Sequence, residues 1–119
     1  RGGVIIMAAA SVDGHGGDEF YNTFACGKTA GEILQDILSV PQDKTRPDQW
    51  QSQILARAMA RHPVILIRTQ PPEVVQRMGL RPADNLSQAI EIADGIMGTK
   101  EKIVVIPDGV GCIPALKET

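Results

Sequence analysis

Aromatic residues are scarce in this sequence: one Trp, one Tyr and two Phe make up 3% of it, beside an apolar fraction of 43%. A core drawn from Ile, Val, Leu, Ala and Met packs as small pieces, which suits a sheet covered by helices. Histidine and cysteine are equally few, with 2 of each. His15 and His62 do not stand at the spacing of metal ligands. Cys26 and Cys112 form no CxxC pair, the usage of a reducing compartment, and they read as small semi-buried thiols, although sequence alone leaves a disulfide between them open. Basic runs are missing too, since 12 Lys and Arg are scattered among 14 Asp and Glu for a net charge of −2. That balance lacks the positive footprint of a nucleic-acid binder. The longest apolar run, residues 4–10, is far shorter than the ~20 residues of a membrane-crossing helix, and nothing resembles a signal peptide. The expectation is a cytoplasmic protein with neither nucleic acid nor membrane as partner.

What is present is a succession of short apolar runs separated by helical patterns. Residues 4–10 (VIIMAAA) predict a strand covered on both faces, as in parallel sheets. The run DGHGG at 13–17 follows at once, and Asp18 and Glu19 then open a short helix carrying Phe20, Tyr21 and Phe24. Thr29, with Glu32 three residues on, is a capping box for a helix whose Ile33, Leu34, Ile37 and Leu38 share a face until Pro41. Pro47 and Asp48 start a third helix with a stripe of Trp50, Ile54, Leu55, Ala58 and Met59, and His62-Pro63 ends it. Residues 64–67 predict a second buried strand, after which Pro71-Pro72 begins a helix that Gly79 stops. Asn85 caps the next helix, with Leu86, Ala89, Ile90, Ala93 and Met97 inward and Gly98 past its end.

Residues 103–106 (IVVI) predict the third strand, Pro107-Asp108-Gly109 a turn at its carboxyl end, and residues 110–113 a short extended return. The fold class predicted is α/β, a three-layer, mostly parallel open sheet with helices on both faces, as one domain over residues 1–119. Three strands are few for such a sheet, so further strands are expected upstream of Arg1.

Ligands of open α/β sheets gather outside the carboxyl ends of the strands, which here carry residues 11–17, 68–70 and 107–109. The first loop is the most suggestive. Gly14, Gly16 and Gly17 would let backbone N–H groups approach an anion, or they simply make a tight turn. Neither GxGxxG nor GxxxxGK[ST] spacing occurs, and Asp18 and Glu19 already occupy the positive end of the following helix. His15 in this loop is either a surface residue or a contact to a ligand or a second domain. His62 reads as a residue near a helix C-terminus, favourable to the dipole there. Trp50, collared by Gln49, Gln51 and Gln53, is either a core residue or a flat face offered to a ligand.

Three stretches, GGVIIMAAASVDGHGGDEFY, PDQWQSQILAR and IVVIPDGVGCIP, resemble the C-terminal part of the nickel-dependent lactate racemase family, across nearly the whole chain. The resemblance implies a 2-hydroxy acid racemase or epimerase. In that family a nickel-pincer nucleotide takes hydride from the substrate carbon while paired histidines exchange the hydroxyl proton. The lysine that anchors the cofactor and the catalytic histidines belong to an N-terminal domain, and neither His15 nor His62 matches their motifs. The chain alone is therefore expected to bind no cofactor and to be inactive, with the N-terminal domain and a small 2-hydroxy acid as its partners. Trp50 takes the place of the tryptophan that lines the family's substrate pocket. The competing expectation is a non-catalytic nucleotide- or phosphate-binding or protein-interaction module of Rossmann-like topology. Self-association through the free edge of the first strand is a third expectation.

Overall fold

The computed structural model describes residues 2–11, 13–68 and 71–117; Val12, Thr69 and Gln70, which the sequence analysis includes among the stretches after the first and second strands, lie outside the described residues. Three strands, β1 (Ile5–Ala8), β2 (Val64–Ile67) and β3 (Arg81–Ala83), form one parallel sheet in the order β1-β2-β3. Between them run α1 (Asp18–Phe24), α2 (Ala30–Leu38), a 3-10 turn at Gln42–Lys44, α3 (Gln49–Met59) and α4 (Pro72–Arg77), and α5 (Leu86–Met97) follows β3. Among the described residues no helix is long and apolar enough to cross a membrane.

β2 explains the layering. Side chains of a strand alternate between faces, so its four apolar residues split two and two. Val64 and Leu66 join Phe24 of α1, Ile33 and Ile37 of α2, Ala56 of α3 and Val75 of α4 on one face. Ile65 and Ile67 join Val4, Ile6, Ala83 and Ala89, Ile92 and Ala93 of α5 on the other. The α/β sheet with helices on both faces is thus present, and Ile65, 0% exposed, sits at its centre. Complete burial of such a side chain is worth about 1.5–3 kcal/mol.

Helix ends follow local chemistry. Thr29 Oγ1 accepts from the Glu32 N–H at 3.3 Å, while Glu32 Oε2 accepts from the Thr29 N–H at 2.8 Å, the reciprocal capping box. Asn85 Oδ1 accepts from the Gln88 N–H at 2.9 Å to cap α5. Gly98 closes α5 in the left-handed region, at φ 75°.

The third strand is not where the apolar pattern puts it. Residues 103–106 form no strand; Ile103, Val104 and Val105 are 61%, 73% and 77% exposed. The strand on that side of β2 is the three-residue Arg81–Ala83 instead. Its Pro82 is tolerated because Ala83 O accepts from the Arg68 N–H, which turns the groups of residue 82 away from β2 to the open edge. Residues 110–113 make no extended return either: Asp108 Oδ1 accepts from the N–H groups of Val110 and Gly111 at 3.2 and 2.9 Å, winding the chain into a turn.

Two helix faces also differ from the stripes read from sequence. On α3 the buried residues are Ser52 and Ala56, with Leu55 and Met59 partly buried, while Trp50 and Ile54 are 59% and 58% exposed. On α5 the inward residues are Ala89, Ile92 and Ala93, and Leu86 is exposed. The small residues Ser52, Ala56 and Ala89 are buried, with the larger Leu55, Met59 and Ile92 partly buried beside them. Cys26 and Cys112 are free and exposed rather than semi-buried.

Candidate functional site

Two neighbouring concavities lie on the α1–α3 side of the sheet. The first, about 640 Å³, opens at the carboxyl end of β1. Its floor is apolar, with Met7, Leu66, Val75 and Met78, and its rim is polar, with Ser11, Asp13, His15 and Gln51. The second, about 780 Å³, lies between α1, α2 and α3 and is lined by Cys26, Lys28, Asp36, Arg46 and Ser52 among others. Gly16, Phe20 and Gln51 border both, so the glycine loop and the first turn of α3 form the ridge between them. The first cleft occupies the position where ligands of open α/β sheets bind, an apolar floor under a few convergent polar groups.

The loop owes its course to glycine at two positions above all. Gly16 lies at φ 86° and Gly17 at φ 150°, and Gly17 is the N-cap of α1. A side chain at either would meet open space, so the requirement is conformational and not steric crowding. His15 is held by three neighbours: its Nδ1 lies 3.1 Å from Gly17 O, its ring stacks on Tyr21 at a centroid distance of 4.7 Å, and its Nε2 lies 3.9 Å from Asp18 Oδ1. The Gly17 N also lies 3.4 Å from Nδ1, so the tautomer decides whether that nitrogen donates to the Gly17 carbonyl or accepts from its N–H, and Nε2 faces the Asp18 carboxylate. The acidic side chains of Asp13, Asp18 and Glu19 near this loop work against a phosphate there.

On the far side of the ridge, Asp48 precedes α3 in the left-handed region at φ 57°, a conformation uncommon outside glycine, and gives no side-chain cap. The Arg46 N–H donates to Gln49 Oε1 at 3.3 Å and the Gln51 N–H to Asp48 O at 3.0 Å. Arg68, following β2, is the other non-glycine residue with positive φ among the described residues, at 48°. Arg68 follows the carboxyl end of β2, and Asp48 precedes α3, the helix that leads into β2. Lys28 pairs with Asp36, whose accepting oxygen and charge together hold the lysine above its ordinary pKa. Ser52 is the one buried polar residue among the described residues and forms no side-chain hydrogen bond there.

Of the residues singled out in the sequence, Gly14, His15 and Gly16 line the first cleft, and Gly16 and Gly17 line the second. Trp50 lines neither: it stands exposed on the outer face of α3, four residues from exposed Ile54. Its place in the core is thereby ruled out. The floor residues Met7 and Met78 carried no sequence signal beyond being apolar. Gln51 did, as one amide of the collar around Trp50. His62 is remote from the loop in its contacts, with Nδ1 3.3 Å from Gly3 O at the amino end of the sheet. Among the described residues no three His, Cys, Asp or Glu side chains converge where a metal ion could be held.

Comparison with known proteins places this arrangement. The family profile of the lactate racemase C-terminal domain matches residues 1–114. The lactate racemase of Thermoanaerobacterium thermosaccharolyticum is 46% identical over 113 residues, covering 94% of this chain and 26% of that protein. The lactate racemase of Lactiplantibacillus plantarum is 41% identical over 114 residues, covering 95% of this chain and 27% of that protein. The solved lactate racemase apoprotein from T. thermosaccharolyticum superposes with a TM-score of 0.88 at 46% identity, covering 94% of this chain and 27% of that one. The chain spans about a quarter of the length of the relatives it matches. With the profile running through the glycine loop, the α3 ridge and the sheet, and the superposition covering 94% of it, the chain belongs to the lactate racemase C-terminal domain family.

Proposed function

We propose that this chain forms the substrate-pocket wall of a cytoplasmic nickel-pincer-dependent 2-hydroxy acid racemase or epimerase, whose cofactor and proton-transfer groups sit in an N-terminal domain. The observation that carries this reading is the exposure of Trp50. A tryptophan standing 59% exposed beside an exposed isoleucine on a helix whose buried face is taken by Ser52 and Ala56 is a recognition surface, not a packing residue.

The residues present do not fit a nickel site. His15 is the only imidazole at the cleft, its Nδ1 is engaged by Gly17, and no ligand cluster surrounds it among the described residues. No hydride or metal step is therefore assigned to this chain. What it supplies is shape: an apolar floor for the carbon side of a small hydroxy acid, Gln51 and Ser11 as polar contacts at the rim, and Trp50 to exclude water when the second domain closes. The free cysteines suit a reducing compartment.

In the full-length enzyme, Trp50→Ala is expected to lower kcat/KM for interconversion of lactate enantiomers at least ~10-fold, roughly 1.4 kcal/mol of transition-state stabilisation. Wild-type kcat/KM in that variant would mean that Trp50 takes no part in closing the pocket. The 119-residue chain by itself is expected to show neither turnover nor retained nickel; either one detected in a purified sample would end the half-site reading.

A further inference from the structure

Met7 is the open part of the first cleft's floor. It pairs with Leu66 in the β1–β2 register, and partners in a pair of strands share a face, so Met7 is directed into the same helix layer as Val64 and Leu66. Leu66 packs there against the buried cluster around Phe24, yet Met7 is 51% exposed. A strand side chain directed at a helix layer and left half uncovered marks a gap in that layer, and the gap is the cleft. Beside Met7 the floor is closed, since Val75, Met78 and Leu80 are all buried. Of the large apolar side chains that line the cleft, Met7 is the most exposed and has the most surface to offer a ligand.

The charge of the lining decides which end of a hydroxy acid meets that surface. Among the described residues no lysine or arginine lines the cleft, and its one carboxylate is that of Asp13. A substrate carboxylate laid on the floor would lose its water and gain no cation in return, which burial of an ion does not tolerate. The acid end of the substrate is therefore turned away from the floor and the substituent on C2 is turned towards it. Size adds to charge. About 640 Å³ is the share of roughly twenty water molecules, so the methyl group of lactate would leave Met7 largely uncovered.

We propose that Met7 selects the side chain of the substrate, and that the preferred substrates are 2-hydroxy monocarboxylic acids whose C2 substituent is a branched alkyl group larger than methyl. An unbranched, polarizable methionine adjusts to such a group in either configuration at C2, which interconversion of two enantiomers requires. A second carboxylate or a row of hydroxyl groups on that substituent would find no partner on the apolar floor, so dicarboxylic and sugar-derived hydroxy acids are poor substrates. The inference rests on the proposed function for the reaction and adds to it a residue and a substrate class.

Ratios of kcat/KM measured on one preparation of the full-length enzyme test it, because the fraction of folded enzyme cancels. The wild type is expected to favour 2-hydroxy-4-methylpentanoate over lactate at least ~10-fold. Met7→Ala is expected to lose that preference with lactate turnover nearly unchanged, and Met7→Leu to keep it. Met7→Lys, which supplies the missing cation, is expected to raise the malate-to-lactate ratio at least ~10-fold. A wild type that favours lactate, Met7→Ala lowering both monocarboxylates equally, or Met7→Lys leaving the malate-to-lactate ratio unchanged overturns the role of Met7 while the racemase reading stands. A wild type that turns over no 2-hydroxy acid overturns that reading and this inference with it.

Discussion

Two segments of the chain are near copies in composition and opposite in fate. VILI at Val64–Ile67 has its first two residues 6% and 0% exposed, while IVVI at 103–106 is between 45% and 77% exposed. Both are apolar and mostly β-branched, and both are followed by a proline within a few residues. The difference lies in their neighbours. β2 finds β1 and β3 on its two edges, α1–α4 below and α5 above, whereas 103–106 pairs with no strand and joins neither core cluster among the described residues. An apolar run specifies the capacity to be a strand; an available edge decides whether it becomes one.

The sharpest way to break this comparison is a matched pair of truncations in this chain. Ile65→Ala empties a fully buried site and is expected to cost about 2–5 kcal/mol. Val104→Ala removes methyl groups from an exposed one and is expected to change stability by less than ~0.5 kcal/mol. Urea denaturation of the two variants measures both. Equal losses would mean that 103–106 packs against something in the free chain and that the contrast between the segments is false.

The parts legible in the sequence were the ones set locally. Thr29 with Glu32, Asn85, Gly79 and Gly98 mark helix ends because a cap is decided by residues three or four apart. The parts that were not legible depend on partners distant in sequence. Arg81–Ala83 has no alternation and contains a proline, and it is a strand only because β2 lends it an edge. On α3 the apolar stripe is right for Leu55 and Met59, which pack against the core, and wrong for Trp50 and Ile54, which stand exposed while Ser52 and Ala56 take the interior. At the candidate site, sequence located the glycine loop and Gln51, since both stand next to strand ends or in a motif. It could not show that Met7 and Met78, some seventy residues apart, share one floor.

A smaller effect separates locally set structure from partner-dependent structure. Thr29→Ala is expected to cost about 1 kcal/mol through the lost cap. The loss should appear equally in this chain and in any longer polypeptide that contains it, because Thr29 and Glu32 satisfy each other without outside help. Val104→Ala is expected to be silent in this chain, and a cost seen only in a longer polypeptide would show that 103–106 gains a neighbour there. Denaturation midpoints of both variants in both polypeptides give the comparison. A cap whose loss doubled in the longer polypeptide would show that α2 is also held by residues outside this chain.

The smallest effect is one of pH, and it isolates the capping box further. Glu32 is held below its ordinary pKa, first by the Thr29 N–H donating to its carboxylate and next by the Thr29 hydroxyl. The folded state thus binds this proton more weakly than the unfolded state. Its contribution is fully present above the unfolded value of about 4.3 and disappears as pH falls through the lower folded value. Stability measured from pH 6 downward should therefore decline more steeply in the wild-type chain than in Glu32→Gln, where no carboxylate remains to protonate. Thr29→Ala keeps the backbone N–H, the larger of the two causes, and removes only the hydroxyl. Its acid-side decline should fall between those of the other two, and an acid limb as flat as that of Glu32→Gln would mean that the hydroxyl, and not the peptide N–H, sets the carboxylate's affinity for its proton.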